Sequence, residues 1–317
     1  MTRRYDFVVA GSCVVDLVCR PIDLHEPISR RVLHPTEPVV LTGGGITINC
    51  GVTMARLGAQ VGVLSYLGDD AWAPVVRNLL QSEGVDDTLL EKHPSEPTST
   101  TVVAVDPSGE RCFFHCVGAP EHMDAAHVLG HLDVLARTGT FILGYYSLMP
   151  RLEDDLPDVF AQIRTAGCRT ALDAAGTGGA MSPLDRILPE LDVYVPSQVE
   201  AQHQTGFDDP ERIIRAYRAC GAPGLLGVKL GMDGVLLSPN ADEFVHVDVV
   251  AAPGPVVDTT GAGDNFYAGL LVGLHRGLDA AQAGKLGAAA AACCVTSVGG
   301  ATGGRNLEET IALAGVG

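Results

Sequence analysis

Residues 258–271 read DTTGAGDNFYAGLL and bring a carboxylate to the start of a helix. Phe266, Tyr267, Leu270, Leu271 and Leu274 follow Asp264 with the spacing of one helical face. The first turn of a helix has backbone N–H groups without intrahelical partners and carries partial positive charge, so small residues there let an anion approach. Gly261, Ala262 and Gly263 suit such an anion hole, and Asp264 in the same turn is a candidate general base beside it. The chemistry predicted is phosphoryl transfer to a hydroxyl. A Gly-rich turn ahead of a helix with an acidic first turn is also stabilising by itself, and this stretch alone leaves that reading open.

The elements that must position these residues are visible as alternating periodicities. Residues 5–12, 61–66, 140–144, 169–173, 192–195, 225–230 and 234–238 read as strands, and 48–57, 71–83, 153–166 and 210–220 as helices. The pattern predicts one α/β domain over 1–317, with a mostly parallel central sheet and helices on both faces. Two segments depart from it. Residues 13–42 are extended stretches broken by Pro21, Pro27, Pro35 and Pro38, and 98–117 read as two strands joined by Asp106, Pro107, Ser108 and Gly109. They predict a small β-sheet outside the main layer. Lys229 is the only lysine in the apolar run GLLGVKL, and burying its ammonium calls for an anion, either a triphosphate or an internal Asp.

The DTTGAGD stretch resembles the C-terminal signature of the PfkB, or ribokinase-like, carbohydrate kinases. Residues 43–69, GGGITINCGVTMARLGAQVGVLSYLGD, resemble that family's N-terminal signature, and the resemblance covers nearly the whole chain. It implies a ribokinase-like fold whose small sheet is a lid over the sugar and often a dimer contact, so a homodimer is expected. ATP is the implied donor, with Mg²⁺ on its phosphates and Asp264 as base. Asp16 in GSCVVD falls where the family hydrogen-bonds sugar hydroxyls, and Gly44, Gly45 and Asn49 match its sugar-binding loop. An acceptor-only Asp and a donor–acceptor Asn suit a polyol, although a turn Asp and a helix-capping Asn are the plainer readings. In VPSQVE, Glu200 matches a residue that orders Mg²⁺ through water, while Ser197 replaces the family's Asn. Lys229 and Gly231 resemble its nucleotide-binding strand end. Asp258, Thr260, Ser297 and Gly299 match places where the family encloses a monovalent cation such as K⁺, and Ala288 stands where a polar residue often meets adenine.

The rest of the composition narrows the choice. A formal charge of −17 without a basic run argues against nucleic acid or an anionic membrane as partner. Nine cysteines show no CxxC and no zinc-finger spacing, which suits reduced thiols in a cytoplasmic protein. The start, MTRRYDFVVAGSCVVDLVC, superficially resembles a signal peptide, but Asp6 and Asp16 interrupt it and its alternation suits a buried strand. The sole Gly-Lys pair, Gly284 and Lys285, is followed by Leu286 rather than Ser or Thr, and no GxGxxG follows the first strand, so neither a Walker loop nor a dinucleotide fingerprint is present. Two other functions stay open: a nucleoside kinase, with Tyr145, Tyr146, Phe113 and Phe114 as an aromatic wall, and a catalytically silent sugar-binding protein. A sugar acid as acceptor would call for an Arg, and Arg20, Arg30, Arg31 and Arg111 lie in the lid-like segments.

Overall fold

The computed structural model describes residues 4–25, 33–34, 36–107 and 110–316. Strand β1 (Tyr5–Gly11) leads into β2 (Val14–Cys19), and β3 (Val40–Gly44) runs directly into helix α1 (Ile46–Arg56). Next come β4 (Val61–Leu67), α2 (Ala73–Ser82), β5 (Leu90–Lys92), β6 (Ser99–Val105) and β7 (Arg111–Cys116). Two short helices, α3 (Ala125–Leu129) and α4 (Leu132–Leu135), precede β8 (Thr138–Gly144), α5 (Leu156–Thr165) and β9 (Arg169–Leu172). Then follow α6 (Met181–Ile187), β10 (Val193–Tyr194), α7 (Gln198–Thr205), α8 (Pro210–Ala219) and β11 (Leu225–Lys229). The chain ends with β12 (Val235–Asn240), β13 (Glu243–Val247), α9 (Ala262–His275), α10 (Ala280–Cys294) and α11 (Leu307–Ala314).

Nine strands form the main sheet in the order β13-β12-β11-β10-β9-β8-β1-β4-β5. From β11 to β5 the pairs are parallel, and β12 and β13 turn back antiparallel. Parallel strands are covered on both faces, which is why β8 is buried at every position and reads as an unbroken apolar run. Side chains of β1 alternate between the two covers: Val8 and Ala10 pack with Phe160 and Ile163 of α5, Phe7 and Val9 with Tyr267 and Leu270 of α9. Helices α9 and α10 meet through small residues. A Cβ added to Gly269 would stand 2.8 Å from Gly287 Cα, so the two backbones are nearly in contact.

Chain order reverses beside β1: the chain places β4 and β5 on one flank and β8 onward on the other. Such a switch point opens a crevice at the carboxyl ends of the strands. Over that edge lies the second sheet, ordered β3-β2-β6-β7, the small sheet expected from 13–42 and 98–117. The alternation therefore predicted the architecture, while β5, β13 and the short helices α3, α4, α6 and α11 went unread and α7 was read only through its VPSQVE motif. Pro27, Arg30, Arg31, Pro35, Ser108 and Gly109 lie outside the described residues. Among the described residues no helix is long and apolar enough to cross a membrane, and no disulfide is formed.

Candidate active site

Gly261 caps α9 with φ +73°, and a Cβ there would lie 2.5 Å from Gly300 O, so this position needs glycine for both conformation and space. Asn265, fully buried, ties the turn down by donating to Gly261 O (2.8 Å) and Gly300 O (2.5 Å), and Thr53 Oγ1 donates to its Oδ1. Ala262 N–H reaches back to Thr259 O at 3.3 Å, which leaves the first-turn amides of Gly263 and Asp264 as the better anion donors.

Asp264 is 5 % exposed. Its Oδ2 accepts from Asn49 Nδ2 on α1 and from the Tyr145 hydroxyl just past β8, each at 2.7 Å. Among the described residues Oδ1 accepts no hydrogen bond. Burial raises the Asp264 pKa, and the bonds from Asn49 and Tyr145 with the charge of Lys229 act against that rise. Cys50 Sγ donates to Asp264 O, and Cys294 Sγ lies within reach of Thr260 O and Gly300 O, so two of the thiols brace this backbone. Tyr145 itself has φ +61°, the only positive φ outside glycine among the described residues. A left-handed tyrosine is strained, and here the strain coincides with a bond to the candidate base.

Lys229, at the end of β11, pairs with Asp173, which follows β9, at 3.0 Å. Burial works against the ammonium, yet Asp173, Glu200 and Asp264 raise its pKa above the ordinary value. Burial likewise pushes Asp173 up to about 7 against the pull of Lys229. The internal Asp is thus real, and three buried carboxylates face one ammonium. A Cβ on Gly263 would stand 3.5 Å from Lys229 Nζ, so the ammonium also adjoins the first turn of α9. Ser197 bridges in register to Lys229 at the edge of β10. Ser197 and Glu200 form a capping box on α7, with Glu200 Oε2 accepting from Ser197 N at 2.6 Å. Gly231 (φ +64°) begins the tight turn Gly231–Asp233 between β11 and β12.

On the lid side Gly44 ends β3 and Gly45 caps α1 at φ +76°, so the diglycine belongs to a strand end and not to a free loop. A Cβ on Gly44 would lie 2.1 Å from Asp16 Oδ2, which shows how closely that carboxylate lies on the backbone. Burial pushes Asp16 up to about 6, a Thr101 hydrogen bond opposes this, and Asp258 adds to it. Asn49 Oδ1 is buried without a hydrogen-bond partner. Its amide orientation is settled because a carboxylate accepts only, so Nδ2 must face Asp264. A cavity between lid and floor is lined by Asp16, Arg20, Thr42, Arg111, Phe113, Asp258, Thr260 and Gly299.

The expected monovalent-cation cluster is only partly assembled. Asp258 accepts from Thr260 N (2.8 Å) and Gly299 N (3.0 Å), whereas Ser297 N turns to Cys294 O. The positive charge beside Asp258 is Arg111 of β7, with Nη1 at 2.8 Å and a further bond to Thr260 Oγ1. Despite burial, the Gly299 and Thr260 amides and Arg111 hold Asp258 below the usual carboxylate range. The aromatic wall is not assembled either. Tyr146 is fully buried with its hydroxyl on Gly178 O, Tyr145 is held by Asp264, and Phe114 is 52 % exposed on the lid's outer face, which leaves Phe113 alone on the cavity.

Asp173 and Asn265 are site residues that sequence reasoning left unassigned, and Tyr145 was read as part of an aromatic wall instead of as a partner of Asp264. A lone Asp after a strand and a Tyr after Gly144 carry no motif. Asn265 had one signal, its place directly after Asp264 on the buried side of α9.

Residues 6–306 match the pfkB family carbohydrate kinases. A fructokinase of Salmonella typhimurium is 32% identical over 276 residues, covering 84% of this chain and 83% of its own. A ribokinase of Haemophilus influenzae is 28% identical over 275 residues, 84% of this chain and 86% of its own. The structure of Arabidopsis thaliana ribokinase complexed with ribose and ATP superposes with a TM-score of 0.81 at 25% identity over the full length of both chains. The carboxylate at a helix N-terminus over a switch-point crevice, matched along nearly the whole length, makes the chain a member of the pfkB family of carbohydrate kinases, enzymes that transfer a phosphoryl group from ATP to a sugar.

Proposed function

We propose that this kinase phosphorylates a neutral sugar hydroxyl, with Asp264 as general base acting through Oδ1. The observation carrying this is that both hydrogen bonds to the carboxylate fall on Oδ2. Asn49 and Tyr145 then orient the group, and Oδ1 takes the hydroxyl proton as that oxygen attacks the γ-phosphorus in line. The amides of Gly263 and Asp264, with Gly261 and Ala262 shaping the turn, and the Lys229 ammonium meet the charge that develops. Asp16 and the backbone at Gly44 and Gly45 hold the other hydroxyls.

Mg²⁺ fits this donor set. Asp173, Glu200 and Asp264 exceed the one ammonium among them in charge, and Glu200 with Asp173 would hold the ion through water. Bound there, it would neutralise the β- and γ-phosphates. The Ser197–Glu200 capping box sets Glu200 beside Lys229, which is the part we assign to Ser197.

A neutral acceptor is favoured because the two described lid arginines of the cavity are already paired, Arg20 with Glu37 and Arg111 with Asp258. The unassembled aromatic wall weighs against a nucleoside. Leu41, Leu17, Val102 and Phe114 stand in register across the outer lid face, an apolar row on which we place a homodimer contact, testable by sedimentation. The deciding experiment is ADP release with Mg-ATP against neutral sugars, sugar acids and nucleosides. Release with neutral sugars supports the proposal. Release with acids or nucleosides alone overturns it, and binding of a sugar with no ADP release would favour the silent reading.

A further inference from the structure

The outermost strand of the main sheet, β5, carries Glu91 opposite Tyr66 of β4, two strands beyond the switch point. Two imidazoles converge on that carboxylate: His131 Nε2 lies 3.3 Å from Oε1 and His127 Nε2 lies 3.7 Å from Oε2. We propose that Glu91, His127 and His131 form a binding site for a zinc-class divalent cation, separate from the kinase centre.

Three observations carry this. The His127 side chain is 1 % exposed, yet neither of its ring nitrogens has a hydrogen-bond partner. Buried polar atoms are normally satisfied, and a cation at Nε2 would satisfy this one. His131 Nδ1 lies 3.0 Å from His127 O, and since a carbonyl only accepts, Nδ1 carries a proton and Nε2 is the nitrogen presented to Glu91. A backbone carbonyl behind the far nitrogen is the usual support of a metal-bound histidine. Finally, the three donor atoms lie within 4.8 Å of one another. Ligands about 2.0–2.2 Å from a tetrahedral ion stand about 3.3–3.6 Å apart, and each Nε2 lies 3.3 or 3.7 Å from one of the two oxygens of Glu91.

A plain His–Glu ion pair explains the cluster less well. Such a pair leaves both buried ring nitrogens of His127 without a hydrogen bond, the nearer one 3.7 Å from Glu91. Two imidazoles and one carboxylate favour zinc over magnesium or calcium, which take oxygen ligands. Half-exposed Glu91 leaves a solvent-facing fourth position. Bound metal would clamp edge strand β5 to the 127–131 segment that follows the lid hairpin.

The test is calorimetric titration of the reduced full-length protein with zinc chloride, without nucleotide, on wild type, His131→Ala and Glu91→Gln. Both changes fall on partly exposed side chains and spare the buried His127, so folding should survive. One zinc per chain is expected, weakened at least about tenfold by either change, with sugar-dependent ADP release unaltered. Cobalt(II) in place of zinc should give a spectrum without thiolate charge-transfer bands. No zinc binding, equal affinity in wild type and both variants, or thiolate bands would overturn the proposal.

Discussion

The floor of the site and its lid handle polar groups in opposite ways. On the floor, Asn49, Asp264 and Asn265 are nearly or wholly buried and bonded to one another or to backbone across α1, β8 and α9. On the lid, Arg20 and Glu37 pair in solvent, and Arg111 crosses to Asp258 from a strand whose phenylalanines stay exposed. Buried charges act in a low dielectric and are held before any substrate arrives, which is what transition-state stabilisation requires. The exposed Arg20–Glu37 pair contributes little, and the largely buried Arg111–Asp258 pair is the stronger tie between lid and floor. On the function proposed above, the floor is the fixed catalytic half and the lid the movable binding half.

Removing the base should strike the fixed half hardest. Asp264→Asn is expected to lower kcat by about two to four orders of magnitude while circular dichroism stays native; near-normal turnover would move the base elsewhere. Lys229→Met leaves Asp173 buried without its cation, a change expected to cost about 3–5 kcal/mol. With the ammonium gone, the folded Asp173 pKa rises further, so the loss seen in urea unfolding should grow above neutrality, where the carboxylate must stay charged, and shrink below it, where it protonates. Equal losses at both ends would mean that Asp173 finds another partner.

For the movable half, Arg111→Ala should raise the sugar KM roughly fivefold, about 1 kcal/mol, with kcat little changed. A large fall in kcat instead would place Arg111 in the catalytic step. Tyr145→Phe tests the join between the halves more finely. Its hydroxyl favours the charged carboxylate, so losing it raises the Asp264 pKa, and the acid limb of the kcat/KM profile should shift to higher pH. An unmoved limb would reduce Tyr145 to packing. The smallest effect concerns potassium: since Arg111 already balances Asp258, replacing potassium by tetramethylammonium should leave turnover unchanged.

Legibility followed burial and periodicity. Strand β8 and the start of α9 were visible because an apolar run and a glycine turn before a helical stripe are local patterns. Helix α7, QVEAQHQT, has no apolar stripe and is held at its start by the Ser197–Glu200 box, so it was read only as a motif. Strand β13, EFVHV, alternates weakly at the end of the sheet and was missed. The anion for Lys229 was open between a phosphate and an Asp, because the answer lay 56 residues away at the end of another strand.

The chain's own pattern determined the α/β class, the second small sheet and the carboxylate in a glycine-started helix, since each depends on neighbours a few residues apart. Only the tertiary structure decided which groups face that carboxylate. Asn49 lies 215 residues from Asp264 and Tyr145 lies 119 away, and they meet because β8 ends at the edge where α1, entered from the second sheet, packs against α9. The same long-range assembly put Arg111 where a potassium ion was expected and set two histidines around Glu91. Local propensity carries no information about such encounters; packing across the sheet creates them.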